Sequence, residues 1–261
     1  MKFTLIGCGN LGSALIKGIV SSDLVSPEDI TVTDKKRENL EEIEQLGVRT
    51  TTDNKEAVKQ NEMIFLAIKP DKVGEVLEKL ELTEEKLVIS LAAGVTTDYL
   101  QEYTDARIIR VMPNLAGEVG EMASAYTLGP KTKPEDEESV KAILNELGKT
   151  VKVEEDLMNP VTALSGSGPA FVFIMIKALR DAGIEMGLSE ENSSTLAAQT
   201  VKGAAEMTLQ SEKSLEEFID MVCSPKGTTI EGVEILEDEK ALETYKKAVK
   251  AAFERAEELS K

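Results

Sequence analysis

Short apolar runs punctuate the first half of the chain, at Phe3 to Ile6, Ile30 to Thr33, Met63 to Ile68, Leu87 to Leu91 and Ile108 to Met112. Segments with helical spacing lie between them, such as Leu11 to Val20 and Leu40 to Leu46, while Ser26-Pro27 opens a connecting loop. Buried strands alternating with amphipathic helices predict a parallel sheet covered by helices on both faces. The pattern changes near residue 155. From Asp156 onward, long segments rich in Ala, Leu, Met and Glu take over, at Ala170 to Met186, Glu190 to Leu209, Leu215 to Val222 and Lys240 to Leu259. The expected class is therefore α/β, with a sheet domain over residues 1–155 and an all-helical domain over 156–261.

One helical segment departs from amphipathic patterning. Ala170-Phe-Val-Phe-Ile-Met-Ile-Lys177 is apolar on every side of a helix and must be covered all round. A second subunit whose helices interdigitate with the first supplies that cover, so an obligate homo-oligomer formed through the C-terminal half is expected; the alternative is the central helix of a monomeric bundle. The longest uninterrupted apolar run, Ala170 to Ile176, falls far short of the roughly 20 residues of a bilayer-spanning helix, so no membrane partner is expected. Gly129 to Glu138, where Pro130 and Pro134 bracket a Lys-rich turn, forms a strongly polar surface loop before an acidic helix start.

Directly after the first strand stands Gly7-Cys8-Gly9-Asn10-Leu11-Gly12, a G-x-G-x-x-G pattern in a strand, turn and helix context. Gly7 permits the turn, Gly9 admits a pyrophosphate close to the backbone, and Gly12 lets helix and strand pack closely. The helix N-terminus then offers free N–H donors and the positive end of its dipole to phosphates. Asp34, at the end of the second run, is placed to accept hydrogen bonds from a ribose. Asp34 repels a 2'-phosphate and favours NADH, yet Lys35, Lys36 and Arg37 follow at once and favour NADPH, so the choice stays open.

Charge and composition narrow the chemistry. With 48 acidic against 30 basic residues the net charge is -18, which repels phosphate backbones and makes nucleic acid an unexpected partner. Two cysteines, Cys8 and Cys223, form no C-x-x-C pair and suit a reducing compartment, so a soluble cytoplasmic protein is expected. The chain has no histidine. That removes Ser-His-Asp triads, histidine acids and His-ligated zinc, and no metal site is expected.

Six ordered blocks, Gly7-Cys-Gly-Asn-Leu-Gly12, Ala67-Ile-Lys-Pro70, Ser90-Leu-Ala-Ala-Gly-Val95, Arg110-Val-Met-Pro-Asn114, Leu164-Ser-Gly-Ser-Gly-Pro-Ala170 and Val222-Cys-Ser-Pro-Lys-Gly-Thr-Thr-Ile230, resemble the successive signatures of the pyrroline-5-carboxylate reductases over essentially the whole chain. The resemblance implies an N-terminal Rossmann-type domain, an all-helical C-terminal dimerisation domain interlocked with its twin, and dimers that assemble further. It implies reduction of 1-pyrroline-5-carboxylate to L-proline by NADPH or NADH. Asn54 would then lie by the adenosine half, with Ala67, Ile68, Lys69 and Pro70 along the nicotinamide ribose, Ala92 and Ala93 below the nicotinamide, and Pro113-Asn114 closing the pocket. The substrate loop would be Ser224 to Thr229, before a helix starting near Ile230. Gly227, Thr228 and Thr229 would hold the carboxylate and ring nitrogen, with the Thr229 hydroxyl nearest the nitrogen. Ser165 would help to shape the pocket. From residue type alone, Thr228 or Thr229 serves equally as an ordinary helix N-cap.

Two departures from the family pattern stand out. Leu115-Ala116 replaces Thr-Pro after Met112-Pro-Asn114, and Lys226 replaces the first glycine of Pro-Gly-Gly-Thr-Thr, which forbids a glycine-only backbone there. Either Lys226 points to solvent in an ordinary conformation, beside the carboxylate site, or the substrate is a relative of pyrroline-5-carboxylate. The absence of histidine suits imine reduction. A protonated imine is already electrophilic, and hydride transfer to it leaves a neutral amine without proton transfer in the same step. The alternatives are a related imine or 3-hydroxyacid oxidoreductase, for which Lys177 is the candidate catalytic lysine, or a silent dinucleotide-binding regulator.

Overall fold

Residues 1–260 are described in a computed structural model. The chain divides into two compact units, Met1–Pro169 together with the segment from Ala251 onward, and Ala170–Lys250. The first unit carries β1 (Phe3–Ile6), α1 (Asn10–Ser21), β2 (Ile30–Thr33), α2 (Glu41–Glu44), β3 (Arg49–Thr51), α3 (Asn54–Gln60), β4 (Met63–Leu66), α4 (Val73–Leu80), β5 (Leu87–Ser90), α5 (Thr97–Gln101), β6 (Arg107–Met112), β7 (Met122–Leu128), α6 (Pro134–Glu146) and β8 (Gly148–Lys152). Their order in the eight-stranded sheet is β3-β2-β1-β4-β5-β6-β7-β8. After β1 the chain moves one way to β2 and β3, then returns past β1 to β4. The carboxyl ends of β1 and β4 therefore flank the crevice where ligands of such sheets bind.

Burial follows the pleat. Leu5, Phe65, Ile89 and Ile109 face one core with Leu15, Ile16 and Ile19 of α1 and Ile143 of α6. Ile64, Val88 and Ile108 face a second core with Val73 and Leu77 of α4 and Leu100 of α5. Two apolar layers explain why these strands read as near-continuous hydrophobic runs.

The parallel-sheet expectation holds over most of the sheet. β1 to β6 are parallel, but β7 pairs antiparallel with β6, and β8 then runs parallel to β7. Three strands escape the apolar signal. Arg49-Thr-Thr51 and Gly148-Lys-Thr-Val-Lys152 are polar because they form the two edges of the sheet, where charge and exposure deter pairing with other chains. Met122–Leu128 alternates small and polar residues. Nor is the loop from Gly129 to Glu138 wholly at the surface. Asp136 is buried, where its carboxylate accepts from Arg107 Nε at 2.7 Å and Nη2 at 3.0 Å and from the Lys133 N–H at 2.9 Å. A second buried guanidinium, Arg110, pairs with Glu155, whose other oxygen accepts from the Thr97 hydroxyl at 2.8 Å.

Beyond β8 the chain is helical as expected, through α7 (Met158–Val161), a π-helical turn at Thr162–Gly166, α8 (Gly168–Glu185), α9 (Glu190–Leu209), α10 (Leu215–Val222), α11 (Thr228–Asp238) and α12 (Ala241–Leu259). Within the second unit, small residues set the crossing of α8 and α9: a Cβ on Gly183 would lie 2.8 Å from the Ser193 hydroxyl. Several apolar side chains of α8 remain uncovered, with Phe173 and Ile174 each 66% exposed. Taken by length and composition, the helical stretch Glu155–Glu185, 31 residues, also suffices to cross a bilayer. A helix built to be covered by protein has the same two properties.

Candidate active site

The turn after β1 has the geometry its glycines predict. Gly7 adopts φ +98°, and a Cβ there would sit 2.4 Å from the Ala67 carbonyl and 2.7 Å from the Ile68 side chain. A Cβ on Gly12 would lie 2.2 Å from the Gly7 carbonyl and 3.3 Å from Ala67 Cβ. These two glycines let α1, β1 and the end of β4 close on each other. Gly9 differs, because nothing lies within 4 Å of the Cβ position. Its bare side is open, and it N-caps α1 with no side-chain cap and no acidic residue in the first turn. Uncapped N–H groups of Asn10, Leu11 and Gly12 behind a bare glycine fit a pyrophosphate.

Asp34 is fixed by the same turn. Its Oδ2 accepts from the Cys8 N–H and its Oδ1 from the Lys36 N–H, both at 2.8 Å. Lys35 follows, exposed and without an ion pair among the described residues. The hydroxyl of Thr33 donates to Asn54 Oδ1 at 2.6 Å, which brings the first residue of α3 to the end of β2. Burial, and next the Asp34 carboxylate, push the Cys8 thiol up to about 11, so it stays protonated at neutral pH.

Ala67, Ile68, exposed Lys69 and Pro70 follow β4, which ends at Leu66. Ala92 and Ala93 follow β5 and lead into Gly94, at φ +71°, where a Cβ would meet the Leu259 carbonyl at 2.9 Å. Asn114 follows β6. Its side chain is committed to structure, since Oδ1 accepts from the Ala116 N–H and Nδ2 donates to the Ser165 carbonyl, each at 3.1 Å. Ser165 lies in the π-helical turn, and its hydroxyl donates to the Val161 carbonyl at 3.1 Å. Both residues thus sit at the carboxyl end of β6, held chiefly by packing duties.

Residues missed from sequence line a cleft of about 490 Å³ beside the turn. Ser13, Lys17, Glu42 and Glu118 join Gly9, Asn10 and the exposed Leu115 there. Lys17 bridges Glu42 at 2.8 Å and Glu118 at 3.2 Å, and hydrogen bonds to Glu42 and then Glu118 raise its pKa. Asn10, Ser13 and Lys17 recur at three- and four-residue spacing, a polar stripe on α1 that was legible in the sequence.

The second unit carries the loop before α11. The helix begins at Thr228, two residues ahead of the expected start, and Gly227 rather than a threonine is the N-cap. Thr228 and Thr229 occupy the first two helical positions, and the end carries no side-chain cap. Lys226 is exposed as expected, but its backbone is not ordinary. At φ +61° it occupies the left-handed region that favours glycine, reachable by lysine at a cost of about 1 kcal/mol.

A doubly wound sheet with an open dinucleotide turn, followed by a helical half with an uncovered apolar helix, is the build of a two-part dinucleotide-binding protein. Comparison with known proteins narrows this. A family model described as pyrroline-5-carboxylate reductase dimerisation matches residues 155–259, and one described as NADP oxidoreductase, coenzyme F420-dependent, matches residues 2–94. The chain is 43% identical to a pyrroline-5-carboxylate reductase of Methanosarcina acetivorans, over 100% of its own length and 98% of that protein's. Crystal structures of pyrroline carboxylate reductase from Plasmodium falciparum, with NADP bound, and pyrroline-5-carboxylate reductase from Coxiella burnetii each superpose with a TM-score of 0.90. Their identities are 32% and 35%, and each match covers 100% of this chain and 98% of the other. The chain belongs to the pyrroline-5-carboxylate reductase family.

Proposed function

We propose that this protein reduces 1-pyrroline-5-carboxylate to L-proline with NADPH or NADH, as the last step of proline biosynthesis. The observation that carries the proposal is full-length kinship with pyrroline-5-carboxylate reductases. Residues 1–155 form the dinucleotide half and 156–261 the dimerisation and substrate half. Backbone donors from Gly9 to Gly12, behind the Gly7 turn, hold the pyrophosphate. Asp34, Lys35 and Asn54 serve the adenosine half; Ala67, Ile68, Lys69 and Pro70 serve the nicotinamide ribose. Ala92 and Ala93 form a shelf, and Asn114 shapes the pocket through the turn it caps. The bound dihydronicotinamide supplies the hydride.

The uncapped start of α11 holds the substrate carboxylate through Gly227, Thr228 and Thr229, which restricts the ring. Its Thr229 hydroxyl hydrogen-bonds the ring nitrogen, and neither step requires histidine. Lys226 adds positive charge beside that anion, and Ser165 shapes the pocket from its helical turn. The hydroxyacid alternative draws no support from Lys177, the lysine it needs, which lies exposed and donates to Asp181 at 2.6 Å. A second copy of the chain, rather than lipid, covers α8 in an intertwined homodimer that assembles further, working in the cytoplasm with both cysteines unpaired.

The test is oxidation of NADH and NADPH at 340 nm with pyrroline-5-carboxylate, for the wild type and Thr229→Ala. Turnover by the wild type is expected, with kcat lowered about tenfold or more in T229A and dinucleotide affinity within about twofold. A wild type that consumes neither nucleotide with this imine overturns the proposal. Unaltered turnover in T229A removes that hydroxyl from the mechanism.

A further inference from the structure

We infer that this chain selects NADH over NADPH, and that Glu44 contributes to the choice by keeping Arg37 from a 2'-phosphate. The inference rests on the dinucleotide site proposed above and deepens it. Cations near the end of β2 or the adjoining cleft include Lys17, Lys35, Lys36 and Arg37. Two are already committed. Lys17 is held by Glu42 and Glu118. The Arg37 guanidinium, the one group able to grip a phosphate in a bidentate fork, forms an ion pair with Glu44 at 2.5 Å and donates to the Thr50 hydroxyl at 3.2 Å. Thr50 in turn donates to the same Glu44 carboxylate, closing a three-residue ring across α2 and β3.

The anion at the site is fixed just as firmly. Asp34 is held by two backbone N–H groups, Cys8 from the phosphate turn and Lys36 from its own loop. Its remaining lone pairs suit a neutral ribose hydroxyl and oppose a phosphate. Glu38 lines the adjoining cleft and adds negative charge. Lys35 and Lys36 stay exposed, and exposed pairs of this kind gain at most about fivefold each. One fixed carboxylate and an occupied guanidinium outweigh them.

Calorimetric titration of the purified full-length protein with NADH and with NADPH, without imino acid, tests this apart from activity. The wild type is expected to bind NADH about tenfold or more tightly. Glu44→Gln, which frees Arg37, should tighten NADPH about two- to fivefold and leave NADH unchanged, and the gain should vanish in the Arg37→Ala, Glu44→Gln double variant. Asp34→Ser should narrow the preference by weakening NADH and strengthening NADPH. Equal or tighter binding of NADPH by the wild type overturns the inference, and so does an E44Q variant whose NADH to NADPH ratio matches the wild type. Binding of neither nucleotide sinks the dinucleotide site itself and the preference with it.

Discussion

Replacing Asp136 by alanine strands a guanidinium inside the sheet domain. The Arg107 side chain is 4% exposed and the Asp136 side chain 9%, and Arg107 also donates to the Glu84 carbonyl at 2.6 Å. Its other ionic partner, Glu62 at 2.8 Å, is 70% exposed and screened by water. Removing one member of a buried pair costs about 3–5 kcal/mol. The lower end applies here, because Glu62 remains. Asp136 also accepts the Lys133 N–H at the start of α6, a capping bond of about 1 kcal/mol. A destabilisation of about 3–4 kcal/mol is therefore expected, or a fall in Tm of roughly 6–16 °C at 2–4 °C per kcal/mol. Urea denaturation followed by far-UV circular dichroism, at one fixed protein concentration, measures it. Asp136→Asn keeps an acceptor for Lys133 and should fall between the two. Replacing both Arg107 and Asp136 by methionine should cost less than D136A alone, since no charge is left uncompensated. A loss below about 1 kcal/mol in D136A, or a double variant worse than the single, refutes the burial reasoning.

Gly9→Ala and Gly12→Ala should separate binding from folding. The Gly9 position is open and its φ of -81° suits alanine, so G9A should keep its stability within about 0.5 kcal/mol yet lose dinucleotide affinity; G12A, driven into the Gly7 carbonyl, should lose both. Equal melting temperatures for the two variants would contradict this. Burial, then the hydrogen bond to Glu137, raises the Tyr126 pKa to about 12, above the roughly 10 of an unfolded chain. Its contribution to stability is complete below pH 10 and lost as pH rises from 10 toward 12, so wild type should weaken more than Tyr126→Phe between pH 9 and 11. Parallel losses would rule the tyrosine out. With its thiol held near 11, Cys8 should resist iodoacetamide at pH 8 at least tenfold better than Cys223, as read by mass spectrometry; equal labelling would refute its protection.

The five apolar strands and the glycine turn were legible because each is a local signal: a run of β-branched residues, or three glycines behind a strand. β3 and β8 were not, because an edge strand carries polar residues for reasons of solubility rather than burial. Asp136 read as one more acid in a charged loop, and only Arg107, 29 positions earlier, turns it into a buried clasp. Asn10, Leu11 and Gly12 appeared where the glycine pattern put them, whereas Asn114 and Ser165 proved tied to each other across a span that no local window contains. Lys226 shows a different limit. Composition forbids it a glycine-only conformation, yet left-handed backbone is merely costly for lysine, and the tight turn from Ser224 to Gly227, closed by a 2.9 Å hydrogen bond, imposes it.

The uncovered side chains of α8 tie folding to abundance. When one subunit's apolar helix is buried by another, the native state gains free energy by mass action, and dilution withdraws it. A cell making few copies would hold a larger share of them unfolded. Selection on stability then acts as much on how strongly the gene is expressed as on any residue in the sheet.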